Sequence, residues 1–168
     1  MDLLVVRHAI AEDRDVFART GKDDGERPLT AAGRRKFERG VRGLRKLVAS
    51  IDVLATSSLL RAIQTSEILE EAYELSRTVR LRELAPEAEP SALLPWLRRQ
   101  RRRGLVAIVG HEPHLSRLMG HLLTGRPSQF VDLRKGAASL LAVGEAPGRG
   151  GAELRWLLTA AQLRRLGR

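Results

Sequence analysis

Two histidines in this chain stand in the same setting. His8 follows the run Leu3-Leu4-Val5-Val6-Arg7, and His111 follows Leu105-Val106-Ala107-Ile108-Val109-Gly110. A short, continuous apolar run rich in β-branched residues reads as a buried strand of a parallel sheet. Open α/β sheets bind ligands in the crevice beyond the carboxyl ends of their strands, which is where Arg7, His8 and His111 would emerge. Arg61 adds a different signal. It falls in the first turn of a helix that follows the strand Val53–Thr56, where backbone N–H groups and the helix dipole already favour an anion. A cation there opposes the dipole, so it is either an exposed arginine paired with an acid or a partner of a bound phosphate. Arginine offers forked donors that suit phosphoryl oxygens, and a neutral imidazole nitrogen can attack phosphorus once its other nitrogen is tied to a carbonyl. The residues therefore outline a cationic pocket, the alternative being strands that merely end in solvated polar residues.

These side chains need elements to position them. Residues 10–28 are polar, lack apolar periodicity and read as a long loop forming a rim over the end of the first strand; loops of that length in compact domains are usually functional or disordered. Thr30 caps a helix whose buried stripe is Phe37, Val41, Leu44, Leu47 and Val48. Ser57 or Ser58 caps the helix that carries Arg61, with Gln64 and Thr65 on the same face. Val79-Arg80-Leu81 reads as a short strand near an edge, followed by Glu83. Ser91 starts a helix containing Leu93, Leu94, Trp96 and Leu97, closed by the arginines of 98–103. Leu115, Leu118, Met119 and Leu122 stripe another helix, with Gly125 as its C-terminal cap. Ala138–Val143 and residues 153–158 read as strands joined by the glycine-rich stretch 144–151, and 162–168 as a short terminal helix. His114 and His121 read as surface or satisfied structural histidines.

A chain of 168 residues suggests one domain, 1–168, with room for a real core. No apolar run approaches the ~20 residues needed to span a bilayer, and Met1-Asp2 leads straight into the first strand, so a cytoplasmic protein without a signal peptide is expected. Zero cysteines exclude a disulfide framework and a thiolate metal site. No metal-ligand spacing appears, and no cofactor is expected. The formal charge of +10 favours anionic partners, although arginine far outnumbers lysine and much of the excess reads as solvated surface. An aromatic content of 4% and the lack of a nucleic-acid motif argue against base stacking or groove readout.

The motifs resemble those of a known family. Arg7-His8-Ala9 after a first strand resembles the Arg-His-Gly signature of the histidine phosphatase superfamily. Ser57-Ser58-Leu59-Leu60-Arg61-Ala62-Ile63-Gln64-Thr65 resembles its Ser-Pro-x-x-Arg-Ala-x-Gln-Thr segment, and Gly110-His111 its second strand-end histidine. Arg27-Pro28-Leu29-Thr30-x-x-Gly33 resembles the segment that leads into its first helix. The similarity runs from Leu3 to about Val143, and the short length points to the SixA-like phosphohistidine phosphatases. Two departures are Ala9 in place of glycine and Ser58 in place of proline.

The resemblance implies a three-layer α/β/α sandwich with a mainly parallel mixed central sheet, phosphoglycerate-mutase-like, and a metal-free phosphatase. His8 would become transiently phosphorylated, Arg7 and Arg61 would hold the phosphoryl oxygens, and His111 would stabilise the transferring group as a cation. Glu83, which follows the third strand and matches an acidic position of many members, is the candidate proton donor, with Glu12 and Asp13 as rivals. The implied substrate is phosphohistidine on a signalling phosphotransfer protein, a histidine phosphotransfer domain. Phosphatase action on small phosphate esters or other metabolites is the alternative. A non-catalytic phosphate-binding module or a nucleic-acid binder is the remaining class. No membrane partner is implied.

Overall fold

The computed structural model describes residues 1–144, 147–148 and 150–168. In chain order the elements are β1 (Asp2–Arg7), α1 (Arg14–Ala18), α2 (Ala31–Leu47), β2 (Val53–Thr56), α3 (Leu60–Ala72), β3 (Thr78–Arg80), α4 (Leu94–Arg99), β4 (Leu105–Gly110), α5 (His114–Thr124), β5 (Ala138–Val143), β6 (Ala152–Leu158) and α6 (Ala160–Leu166). The strands form one sheet in the order β3-β2-β4-β1-β5-β6. β3, β2, β4 and β1 are parallel, whereas β5 and β6 run antiparallel to their neighbours.

The run at residues 3–6 is apolar at every position because both faces of β1 are covered. Leu3 and Val5 pack with Leu94, Trp96 and Leu97 of α4 and Leu115, Leu118 and Met119 of α5. Leu4 and Val6 pack on the opposite face with Phe37, Val41 and Leu44 of α2, Leu69 of α3 and Leu163 of α6. All four strand residues are fully buried, each contributing on the order of 1.5–3 kcal/mol relative to exposure. The result is the expected three-layer sandwich with a mixed, mainly parallel sheet.

Several local expectations change. The rim at 10–28 is not a plain loop: it holds α1, capped by the Asp13 carboxylate on the Asp15 and Val16 amides, and a 3-10 turn at Asp24–Glu26. The Arg61 helix is not capped by serine. Its N-cap is Leu59, which makes no side-chain cap bond; Ser57 lies two residues before it. Ser91 lies within a 3-10 turn, Pro90–Leu93, that precedes α4. His114 is neither exposed nor satisfied: it is buried, with no partner on either ring nitrogen. Leu47 ends α2 exposed rather than in its stripe. Of the glycine-rich stretch, Glu145, Ala146 and Arg149 lie outside the described residues.

One glycine governs how the rim meets the sandwich. A Cβ on Gly33 would lie 2.1 Å from the Ile10 carbonyl oxygen, so only glycine lets α2 approach the segment that leaves His8. The same carbonyl accepts from the Thr30 amide at 3.0 Å.

Candidate active site

The pairing of β1 with β4 brings the two histidines together. Arg7 is in register with Gly110, and the His8 amide donates to the Gly110 carbonyl at 3.1 Å. Each histidine thus lies one residue beyond the end of adjacent parallel strands. Their ring centroids are 5.1 Å apart, with the planes tilted by 50°. One tetrahedral phosphoryl group, with hydrogen-bond reach of ~3 Å on each side, can touch both.

The tautomer of His8 follows from its neighbour. Nδ1 lies 2.7 Å from the Ala9 carbonyl oxygen, which can only accept, so Nδ1 carries the proton and Nε2 keeps its lone pair. Burial opposes the charged ring, the bond to Ala9 works the other way, and the charges of Arg61, Arg7 and Lys135 side with burial; the pKa falls to about 3. His8 is therefore neutral at physiological pH, the state a nucleophile requires.

The segment that starts α3 fixes the geometry around it. The Ala9 amide donates to Thr65 Oγ1 at 3.0 Å, and that hydroxyl donates to the Arg61 carbonyl at 2.7 Å. Gln64 Oε1 accepts the Leu29 amide at 2.7 Å. Gln64 and Thr65 hence tie the chain after β1 and the start of α2 to the turn that carries Arg61.

Arg61 departs from the exposed setting of its acid-paired reading. It is buried and paired with an acid, Nη2 lying 3.2 Å from Asp24 Oδ2 and Nη1 donating to the Asp24 carbonyl at 2.9 Å. Its Nε remains buried without a hydrogen-bond partner among the described residues. Arg7 is arranged similarly: Nη1 donates to the Leu133 carbonyl at 2.6 Å, while Nε is buried and unpartnered. His111 adds a buried, unpartnered Nδ1. An unsatisfied buried polar group costs about 1–3 kcal/mol. An anion with several acceptor oxygens would relieve such a set.

His111 departs from its expected state. Burial first, then the charges of His8, Arg61, His114 and Arg7, push its pKa down to about 2. Without a bound anion His111 is neutral, not a cation, chiefly because it is buried and secondarily because Arg61 and Arg7 face it. Its Nε2 is 2.6 Å from Ser57 Oγ, which also accepts the Leu59 amide at 3.4 Å.

The carboxylates are distributed differently from expectation. Glu83 is half-buried on a 3-10 turn, Arg82–Leu84, and no hydrogen bond or ion pair among the described residues joins it to the histidines or arginines. The Glu12 carbonyl accepts Arg27 Nη1 at 2.8 Å, and Asp13 is spent on capping α1. Four side chains went unrecognised in the sequence as parts of this region. Arg27 is buried and its Nε donates to Asp24 Oδ1 at 2.8 Å; the string Arg27-Pro28-Leu29-Thr30 was its only trace. Asp24 and Ser57 act across long sequence separations that no local pattern reveals. Glu112, next to His111, accepts from the Ser116 hydroxyl and keeps a buried, unpartnered Oε1. Burial raises its carboxyl pKa, against the Ser116 bond and the charge of Arg7. Lys135 stands at the outer rim, exposed, facing Arg7, Arg27, Asp13 and Arg61. A separate concavity of about 700 Å³ along α3 and β3 has Glu67, Glu70, Glu71 and Glu74 in its lining against Arg77 and Arg80, so its carboxylates outnumber its guanidinium groups.

Two neutral histidines and buried arginines, facing one another at the carboxyl ends of parallel strands in an α/β/α sandwich, define a phosphoryl-handling enzyme of the phosphoglycerate-mutase-like fold. Residues 3–88 match the family model of the histidine phosphatase superfamily, branch 1. An uncharacterized protein of Picosynechococcus sp. is 34% identical over 152 residues, covering 84% of this chain and 90% of its own. In fold, the chain is similar to the protein histidine phosphatase SixA complexed with tungstate (TM-score 0.81, 24% identity, 97% of this chain and 99% of that one). It is also similar to a mutant phosphoserine phosphatase from Entamoeba histolytica in complex with phosphoserine (TM-score 0.71, 13% identity, 96% and 98%). The chain belongs to the histidine phosphatase superfamily, and by that membership it is a phosphatase.

Proposed function

We propose that this chain, acting as a single domain, removes phosphoryl groups from phosphohistidine on a signalling phosphotransfer protein in the cytoplasm, by way of phospho-His8. The observation that carries the reading is the fixed tautomer of His8, with Nδ1 tied to Ala9 and Nε2 bare beside His111. In the first step Nε2 of His8 attacks phosphorus, the P–N bond of the substrate breaks, and the substrate imidazole leaves, taking up a proton. In the second, water attacks the phosphorus of phospho-His8, the new P–N bond breaks, neutral His8 is regenerated and inorganic phosphate departs. Arg7, Arg61 and His111 hold the equatorial oxygens, where positioning and charge stabilisation supply most of the catalysis.

The carboxylates support a phosphoramidate substrate. An imidazole leaving group has a pKa near neutrality and depends little on a strong general acid. Glu83 makes no bond to the site, and Asp24 is held ionised by arginines, so neither is arranged as a donor. The charge of +10 suits an acidic partner surface. A second reading, hydrolysis of small phosphate esters, is favoured by one observation: the raised pKa and unpartnered Oε1 of Glu112 beside His111. The test is a leaving-group series. Rates on phosphohistidine protein and on aryl phosphates of graded leaving-group pKa should show phosphohistidine turned over fastest and unaffected by Glu112→Gln or Glu83→Gln. Faster turnover of the aryl phosphates with the poorest leaving groups, abolished by either substitution, would replace this reading with the second.

A further inference from the structure

Arg27 and Arg61 come from different parts of the chain, are both buried, and repel each other: the charge of Arg27 works against the charged state of Arg61. Two buried guanidinium groups need a shared counter-charge to stay side by side. The carboxylate between them is Asp24, on the short turn at Asp24–Glu26 inside the rim. Oδ1 takes Arg27 Nε at 2.8 Å and lies 3.6 Å from Arg14 Nε; Oδ2 lies 3.2 Å from Arg61 Nη2, and the Asp24 carbonyl takes Arg61 Nη1 at 2.9 Å.

The distribution of donors is informative. Asp24 and its carbonyl occupy both terminal nitrogens of Arg61 and leave Nε unpartnered. On Arg27, Nε goes to Asp24 and Nη1 to the Glu12 carbonyl, and Nη2 has no hydrogen bond among the described residues. One carboxylate thus grips an edge of each fork and leaves a donor of each uncommitted. We propose that Asp24 is a positioning residue for phosphoryl recognition, holding Arg27 and Arg61 in one fixed orientation so that their remaining donors present a preformed site to the transferring group. The inference rests on the phosphatase reading for its substrate, and on the contacts above for its geometry. Preformed donors avoid the reorganisation that a free arginine would undergo on binding.

A double-mutant cycle on the full chain tests this, read by tungstate binding in calorimetry and by kcat and KM on a phosphoramidate. Asp24→Asn removes the charge and keeps the shape. It should weaken tungstate binding and raise KM by about tenfold in the wild-type background, but by less than about threefold when combined with Arg61→Lys, because its effect passes through the fork of Arg61. Asp24→Ala should behave alike with a near-native circular dichroism spectrum. Equal losses in both backgrounds would make Asp24 a fold element of the rim and overturn the proposal, as would unchanged or tighter tungstate binding in Asp24→Asn. If the wild-type protein binds tungstate yet hydrolyses neither phosphoramidates nor esters, the functional reading fails, while the tungstate cycle still decides the role of Asp24.

Discussion

Acid should unfold this protein at an unusually mild pH. His8, His111 and His114 are all buried, with pKa values pushed down to about 3, about 2 and about 4, in each case chiefly by burial. A histidine with a depressed folded pKa binds its proton more readily in the unfolded chain. Its contribution to stability is therefore complete above the unfolded value of 6.5 and is lost as the pH falls below it. At pH 5 the unfolded chain carries nearly the full set of protons on these rings and the folded chain almost none. Each ring then costs about 1.5 pH units, or about 2 kcal/mol, for a total of about 6 kcal/mol between pH 8 and pH 5. This figure depends on the unfolded pKa, and it holds for any folded values safely below 5. Glu112 offsets a part, since its carboxyl pKa is raised and the folded state binds that proton more readily just above pH 4.5. Asp24, held below its ordinary value, adds nothing until the pH approaches 3.8. A loss of about 6 kcal/mol is comparable to the whole stability of many domains, about 5–15 kcal/mol. Urea unfolding at pH 8, 6.5 and 5 measures it, and the steepest slope should correspond to an uptake approaching three protons on unfolding. His8→Gln and His111→Gln should each reduce that uptake by about one. A stability flat between pH 8 and pH 5, or ring resonances of His8, His111 and His114 titrating near 6.5 in the folded protein, would refute the reasoning.

Three further outcomes are expected. His8→Ala abolishes both turnover and acid-labile labelling of the enzyme in rapid quench, because no other group replaces the attacking nitrogen; His111→Ala retains labelling of His8 with kcat lowered by about 10²–10³, and label found on His111 or His114 in the wild type would reverse the assignment. Ser57→Ala releases His111 Nε2 from its 2.6 Å contact and lowers kcat by roughly fivefold, the equivalent of about 1 kcal/mol for one hydrogen bond, with KM unchanged. Gly33→Ala places a methyl 2.1 Å from the Ile10 carbonyl and destabilises the fold by about 1–3 kcal/mol or more, measured as a lower urea midpoint; an unchanged midpoint would show that the rim moves freely over α2.

The parts legible in the sequence were those set by local pattern. β1 and β4 announced themselves because a strand covered on both faces is apolar at every position, and α2 and α5 because their buried residues recur at helical spacing. The histidines and Arg61 could be singled out since they end or begin such elements. The failures have physical causes as well. α1 is five residues long with a single buried side chain, Phe17, too little to show periodicity. Ser57 looked like a cap, but the helix starts two residues later than that reading needs, with Leu59 as its N-cap, and the Ser57 hydroxyl meets the Nε2 of a histidine 54 residues away. Asp24 is one of several acids in a polar stretch, and only the fold reveals that it faces Arg61 across 37 residues. The cationic state expected of His111 presumed a bound dianion, whereas the charges that the chain itself supplies around that ring are positive.

That last point bears on how the site works. A pocket built from Arg7, Arg27 and Arg61 already carries a strong positive potential, tempered by Asp24. Adding two imidazolium rings would set further like charges within a few ångströms, so burial and the arginines keep both rings neutral. Neutrality is what His8 needs to attack; burial supplies it, and the Ala9 carbonyl on Nδ1 fixes which nitrogen carries the proton. His111 has no such tie on Nδ1. A phosphoryl dianion lying between the rings would supply the negative charge its surroundings lack and raise its proton affinity, while leaving His8 fixed as the nucleophile. In the mechanism we propose, two residues of the same type, at equivalent ends of neighbouring strands, take different tasks, set apart by one backbone carbonyl and one serine hydroxyl.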